Sequence, residues 1–259
     1  MYHGIGDVAQ SVHPYYETNT SPAMFARHME FLKESGYTSV GLEEAVKYSA
    51  NGESGSKLVV ITFDDGFRDF YSTAFPILRQ HGFIATVFIP TGLLSDQRSQ
   101  WKCADLMTWS EVRELHSCGV RFGSHTVSHP ELETLDEKQI DEEVGQSKKT
   151  LEDKLGVPIK TFAYPYAFPE HNKPFARRLA EILESHGYEL GVSTIIGRAR
   201  NTDNPFFLPR LPVNTWDDLA LFQAKLQGGY DWLHFPQRVY KTLQYLVRPH
   251  TNLHVPQAV

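Results

Sequence analysis

The chain predicts an α/β fold, a single deformed (β/α) barrel of seven or eight parallel strands. Short apolar runs alternate with longer amphipathic segments at about 30–40 residues per unit, the rhythm of successive β-α-β units. The run Lys57–Phe63 (KLVVITF) is almost continuously apolar, as a strand covered on both faces should be. The length of 259 residues, with 41% of them hydrophobic, suits one barrel-sized core, and neither an internal repeat nor a linker interrupts it. The barrel is expected over residues 1–230, with a helical tail over 231–259.

Each element has a local reason. Ser21-Pro22 opens the first helix, with the serine as N-cap and the proline in the first turn, and Gly36 closes it. A short strand at 37–40 precedes a helix at 42–48, and 51–56 is a polar Gly/Ser-rich loop. After the Lys57–Phe63 strand, 69–81 reads as a helix ended by Gly82, and 84–89 as the next buried strand. Residues 94–105 form a long loop containing Trp101. Thr108 and Glu111 make a capping box for a helix ending at Gly119. A strand at 120–123 follows, then a long charged helix from the Asp136 cap to Gly156. Strands are expected at 161–164, 190–193 and 207–213, with a helix at 173–186. Thr215 should start the last barrel helix. Residues 235–247 (FPQRVYKTLQYLV) read as a basic amphipathic helix that docks on the barrel, though its pattern leaves contact with a membrane or partner open.

A net charge of −6 and a pI near 6.0 argue against nucleic acid as a partner. Cys103 and Cys118 match no zinc or redox spacing and read as free thiols. No apolar run approaches the length of a membrane span. The opening MYHGIGD has neither the basic nor the apolar region of a signal peptide. As it stands the chain reads as cytoplasmic. Met1–His3 also resembles the end of a strand whose beginning is missing, so a cell-envelope location follows if the start is truncated.

Two constellations carry chemistry, and both fall where strands should end, which in a barrel is where catalysis sits. The first is Thr62-Phe63-Asp64-Asp65-Gly66. Two carboxylates at the end of a buried strand are unfavourable unless something neutralises them. Adjacent residues in extended chain face opposite ways, so one can coordinate a cation while the other takes a proton. The plainer reading is a helix cap and turn. The second is His125-Thr126-Val127-Ser128-His129-Pro130. Histidines at i and i+4 share one face of a helical turn and can share an ion, although with 12 histidines in the chain such a pair also arises by chance. A carboxylate with two imidazoles leaves coordination positions open, as catalytic metal sites do.

With these motifs in view, the sequence resembles the polysaccharide deacetylases of carbohydrate esterase family 4. The family's [TS]-F-D-D-G stands at Thr62–Gly66 and its H-[ST]-x-x-H at His125–His129, in that order and at matching separation. The likeness runs from about Tyr2 to Val213. Tyr2-His3, Ile5 and Pro76-Ile77-Leu78 look like the branch that trims exopolysaccharides such as poly-N-acetylglucosamine. The resemblance implies that Asp65, His125 and His129 bind a divalent metal, most often zinc, with cobalt, nickel and manganese as alternatives. It implies that Asp64 is the general base for the attacking water and that the substrate is an N-acetylated polysaccharide or oligosaccharide.

Two features depart from the pattern. The third family motif, R-x-P-Y, has Ala163 where the arginine belongs, although Pro165 and Tyr166 match. The Tyr166 backbone N–H is thus the candidate oxyanion donor, and Arg210 the candidate replacement for the arginine that orients the base. The final motif, apolar-x-His, has no convincing counterpart. His234 and His254 have the local pattern but lie beyond the barrel strands, and His3, at the end of the first strand, is the better situated candidate. Trp101, Trp109, Tyr166 and Phe168 are candidate sugar-stacking rings. Two other readings stand beside deacetylation of N-acetylhexosamine: a site acting on an O-acetyl, formyl or non-sugar acyl group, and a carbohydrate-binding protein with a degenerate site.

Overall fold

The computed structural model describes residues 1–6, 18–50 and 57–231. The expected tail helix, His234 and His254 lie outside the described residues. Ser21 opens α1 (Pro22–Glu34), its hydroxyl accepting from the Met24 N–H, and the chain leaves through Gly36 at φ 76°. Next come β1 (Thr38–Ser39) and α2 (Leu42–Ala50). The Lys57–Phe63 run is two strands, not one. β2 (Leu58–Val59) pairs with β1, whereas β3 (Thr62–Phe63) moves inward to pair with β4 (Thr86–Ile89). Half-buried residues in β2 and fully buried ones in β3 mark that passage from the outer ribbon to the main sheet.

Between β3 and β4 the expected helix begins as a π-helical turn, Phe70–Ala74, and continues as α3 (Phe75–His81), which ends on left-handed Gly82. The expected loop 94–105 contains a small hairpin, β5 (Gln100–Trp101) and β6 (Ala104–Asp105). The Thr108–Glu111 capping box forms and starts α4 (Trp109–Ser117). β7 (Arg121–Ser124) follows. The Asp136 cap then opens α5 (Glu137–Leu155), and left-handed Gly156 closes it. The remaining elements are β8 (Thr161–Ala163), α6 (Lys173–Ser185), β9 (Leu190–Ile196), β10 (Leu208–Arg210) and α7 (Leu219–Leu226).

The main sheet is all parallel, in the order β10-β9-β8-β7-β4-β3. Its two edges meet through Met1 and Tyr2. Tyr2 N–H donates to Thr62 O (2.8 Å) and Asp64 N–H to Tyr2 O (3.1 Å), while on the other side Val213 N–H donates to Met1 O (3.0 Å) and Met1 N to Leu211 O (2.9 Å). Six strands and this short N-terminal segment therefore close the deformed barrel that the periodicity predicts. The join sits in a cluster of rings: Phe63 stacks on Tyr2 (5.4 Å) and meets Phe25 and Phe70 edge-on. Each such fully buried ring contributes roughly 1.5–3 kcal/mol.

Two expectations need correction at the C-terminal side. The strand expected at 207–213 is confined to β10, and even there the register shifts between Leu208 and Arg210, where Pro209 lacks the N–H that a ladder needs. The last helix starts at Leu219 with Asp218 as its cap, not at Thr215. Asp217 explains the delay, since its carboxylate closes a turn on the Asn214 N–H (2.8 Å) and pairs with buried Lys225 (2.6 Å). Lys225 also donates to Pro212 O (2.7 Å), and His28 Nε2 donates to Asp217 O (2.6 Å). α7 is thereby pinned to α1 and to the strand that closes the barrel. Among the described residues no helix is long and apolar enough to cross a membrane.

Candidate metal centre and active site

Asp64 and Asp65 follow β3, His125 and His129 follow β7, Tyr166 lies beyond β8, Arg210 ends β10 and His3 follows the closing segment. All seven expected site residues are thus at the C-terminal mouth of the barrel. Asp64, Asp65, His125, His129, His3 and Tyr166 line one pocket of about 570 Å³. Arg210 is not part of that lining and meets the site through Asp64. A larger groove of about 760 Å³ runs along the barrel on the side of α2 and β2. Its lining is mainly apolar, and no cluster of metal-ligating side chains lies in it among the described residues.

Asp64 and Asp65 face different partners, though not through the extended-chain alternation expected of them. Asp64 points at Arg210, whose Nη1 and Nη2 donate to its two oxygens at 2.7 Å each. Arg210 Nε donates to Ser193 O (2.9 Å), which fixes the plane of the fork. Burial on its own would raise the Asp64 carboxyl, but the Arg210 guanidinium, with smaller help from His125 and His3, holds it below the ordinary carboxylate value. Arg210 is therefore the cation paired with Asp64. Asp65 turns the other way because its backbone is left-handed (φ 75°), as is that of Gly66 (φ 72°). Met107 N–H donates to Gly66 O (3.0 Å) and holds that turn.

Asp65 Oδ1 lies 3.5 Å from His125 Nε2 and 3.3 Å from His129 Nε2, and one donor atom from each residue falls within 4.8 Å of the others. All three are buried. Asp65 is held well below the usual carboxylate range. Burial opposes this, and hydrogen bonding with the two imidazoles outweighs it. His125 Nδ1 lies 2.8 Å from Ala163 O. A carbonyl only accepts, so Nδ1 carries the hydrogen, and Nε2 faces Asp65 as a donor in the charged ring or as a bare lone pair in the neutral one. A lone pair and a carboxylate at that distance repel unless a proton or cation lies between them. A tetrahedral ion with bonds of about 2.0–2.1 Å separates its ligands by about 3.3–3.4 Å, which matches the measured spacings. The donor set fits a divalent cation.

The histidines do not converge as expected, however. Residues 125–129 form no helical turn. They are an irregular loop in which Thr126 (φ 69°) and His129 (φ 58°) are left-handed. His129 N–H donates to Thr126 Oγ1 (3.0 Å), closing the loop locally. Pro130 follows at once, and the residue before a proline is steered away from the right-handed helical region, so a regular turn could not run through His129.

His3 Nε2 lies 4.0 Å from Asp64 Oδ2, and burial lowers its pKa against the pull of both aspartates. Tyr166 is left-handed (φ 56°), its carbonyl accepts from the Thr194 hydroxyl (3.0 Å), and its ring meets His129 edge-on at 4.5 Å. Of the four candidate stacking rings, Trp101 and Tyr166 flank the metal loop, and Trp101 lies 4.8 Å from His129. Trp109 and Phe168 are core residues, each 3% exposed, because their helix and loop turn them inward. Lys102 has no signal in the sequence. It sits at the tip of the β5–β6 hairpin with its ammonium 3.9 Å from the Trp101 ring and 4.0 Å from Asp65 Oδ2. Lys102 and Cys103 both have positive φ, the geometry of a two-residue hairpin turn, which Asn-Gly normally announces. Both cysteines are free thiols.

The model of the polysaccharide deacetylase family matches residues 51–191, more than half of the chain. The chain belongs to the polysaccharide deacetylase family. A poly-β-1,6-N-acetyl-D-glucosamine N-deacetylase of Staphylococcus aureus is 24% identical over 221 residues, 82% of this chain and 73% of the relative. Among solved structures, the Streptococcus pyogenes deacetylase PplD in complex with acetate superposes with a TM-score of 0.74 at 27% identity, covering 87% of this chain and 95% of that one. IcaB from Ammonifex degensii gives 0.70, also at 27% identity, over 87% and 94%. The family assignment, the deformed barrel and the deacetylase class stand together.

Proposed function

We propose that this enzyme removes N-acetyl groups from N-acetylhexosamine units of a polysaccharide, using a divalent cation, most often zinc, held by Asp65, His125 and His129. The observation that carries this reading is the convergence of those three donors beside a second, separately held carboxylate. Bound there, the cation supplies Lewis acidity, which lowers the pKa of a water and polarises the acetyl carbonyl.

The chain's own groups divide the rest of the work. Asp64, kept anionic by Arg210, is the general base that takes the proton of the attacking water. The water oxygen bonds to the acetyl carbon, and the carbonyl oxygen gains the charge that the Tyr166 backbone N–H stabilises. His3, 4.0 Å from the base, returns a proton to the amide nitrogen as the C–N bond breaks, leaving a free amine and acetate. Burial lowers its pKa and favours the uncharged ring, so the proton it delivers is the one that Asp64 takes from the water. Tyr166 lines the pocket and Trp101 packs beside it against His129, and both are candidates to stack on sugar rings.

The test is acetate release from N-acetylglucosamine oligomers, poly-N-acetylglucosamine and acetylated xylan, with and without a chelator. Release from the amide-bearing glycans, abolished by the chelator and restored by zinc, is the expected result. Release confined to the xylan ester, or unaffected by the chelator, would overturn the proposal.

A further inference from the structure

The two histidine ligands sit at the ends of a five-residue loop in which two residues are held out of their preferred backbone conformations. Thr126 and His129 are both left-handed, a region that side-chain-bearing residues avoid, β-branched ones most of all. Such strain persists only where the surroundings over-determine the backbone. Here they act from two sides. The chain after β4 supplies donors to the loop's carbonyls: Thr91 N–H to Thr126 O (3.0 Å) and Gly92 N–H to Val127 O (2.8 Å). The loop's own N–H groups meet a carboxylate from α5. Glu143 Oε2 accepts from Val127 N–H (2.8 Å) and Ser128 N–H (2.9 Å), and Oε1 accepts from the Ser128 hydroxyl (2.6 Å). One helical turn further on, Ser147 shares a hydrogen bond of 2.7 Å with Ser124, the residue before His125.

We propose that Glu143 is a positioning residue for the metal ligands, setting the affinity of the Asp65–His125–His129 site for a divalent cation by holding the loop between the two histidines. This rests on the reading of those three residues as the ligand set. Glu143 is not a ligand. Both its oxygens are engaged by the far side of the loop, and it is absent from the cluster of converging donors. The two N–H groups it accepts from belong to the residues between left-handed Thr126 and left-handed His129, so it braces the chain where the strain is concentrated. Without it the loop can relax toward extended conformations, which the residue before a proline prefers and which turn the His129 ring away from Asp65 and His125. The metal-free protein has little reason to resist that relaxation. Only cation binding requires the strained form, so the loss should appear chiefly in metal affinity. Outer-shell partners that orient ligands typically change affinity 10- to 100-fold when removed.

The experiment titrates cobalt(II) into the full chain, stripped of metal, and follows the visible absorption of the bound ion, with chelator competition giving the dissociation constant. Wild type, Glu143→Ala and Glu143→Gln are compared, and thermal melting of each stripped protein is recorded in parallel. Glu143→Ala should bind cobalt about 10- to 100-fold more weakly, with an altered spectrum. Glu143→Gln keeps one acceptor oxygen for the loop and should lie between. A lowered melting temperature with wild-type cobalt affinity and spectrum would overturn the proposal, since that is what a merely structural role gives. If Glu143→Ala does not fold, the isosteric glutamine variant decides alone: weakened affinity supports the proposal and unchanged affinity overturns it. Wild-type protein that binds no cobalt would refute the ligand set itself and this inference with it, so the two failures are told apart in the first titration.

Discussion

Replacing Arg210 with methionine removes the group that keeps Asp64 ionised while preserving most of the side chain's length. The guanidinium and Asp64 are 6% and 3% exposed, and the pair is bidentate at 2.7 Å. Losing one member of a buried ion pair strands the other charge and costs about 3–5 kcal/mol. The stranded carboxyl can escape by binding a proton. Burial, until then outweighed by Arg210, would become the dominant influence and raise its pKa. A contacting cation lowers a carboxyl by about 1–3 units, so the acid limb of the pH–activity profile should move upward by about that amount. The sign for stability follows. In the wild type Asp64 is depressed, so its contribution is present above the unfolded carboxyl pKa and is lost as pH falls. In Arg210→Met it is elevated, so stability declines as pH rises through the new value. Urea unfolding at pH 7 and the pH dependence of acetate release measure the two effects. Asp64→Asn/Arg210→Met should recover much of the lost stability, because no charge is left unpaired. If Arg210→Met unfolds within about 1 kcal/mol of wild type, below the range for a broken buried pair, and its acid limb is unmoved, the pairing does not do what is claimed for it.

Glu111 gives a prediction remote from the catalytic centre. Burial would raise its carboxyl, but Arg98, the Thr108 N–H and Arg68 hold it at about 2, against an ordinary value of 4.5. Its contribution is complete above pH about 4.5 and fades as pH falls toward about 2, so Glu111→Gln should flatten the acid-unfolding curve across that window. Gly92→Ala tests the other support of the metal loop. A Cβ at Gly92 would come within 2.7 Å of Val127 Cγ1 and 2.9 Å of Val127 O, so overpacking of about 1–3 kcal/mol should accompany weaker cobalt binding in the same titration.

Much of the fold was legible because it is written in local chemistry. The Ser21 cap, the Thr108–Glu111 box, the Asp136 cap, and the left-handed glycines 82 and 156 each act within one turn of the residue that signals them. What was not legible depends on distant partners. Nothing in KLVVITF says that its first half pairs with β1 and its second with β4. The delayed start of α7 follows from the Asp217–Lys225 pair, and the hairpin at Lys102-Cys103 forms without a turn residue to announce it. The site was legible as residues more than as geometry. Paired carboxylates and paired histidines at strand ends marked the cluster, and the alanine at 163, where the resemblance implies an arginine, made Arg210 a candidate. The strained loop and its Glu143 brace were invisible, since Glu143 is one acid among several along a charged helix and its partners are backbone groups sixteen and fifteen residues away.

The central claim is that one aspartate helps to hold a cation while its neighbour works as the base. Metal content and acetate release, measured together on purified Asp64→Asn, separate these two jobs. The variant should carry as much zinc as the wild type and release acetate at least about 100-fold more slowly, the lower end of what a general base contributes. Wild-type turnover in that variant, or loss of its zinc, would contradict the division of labour between Asp64 and Asp65.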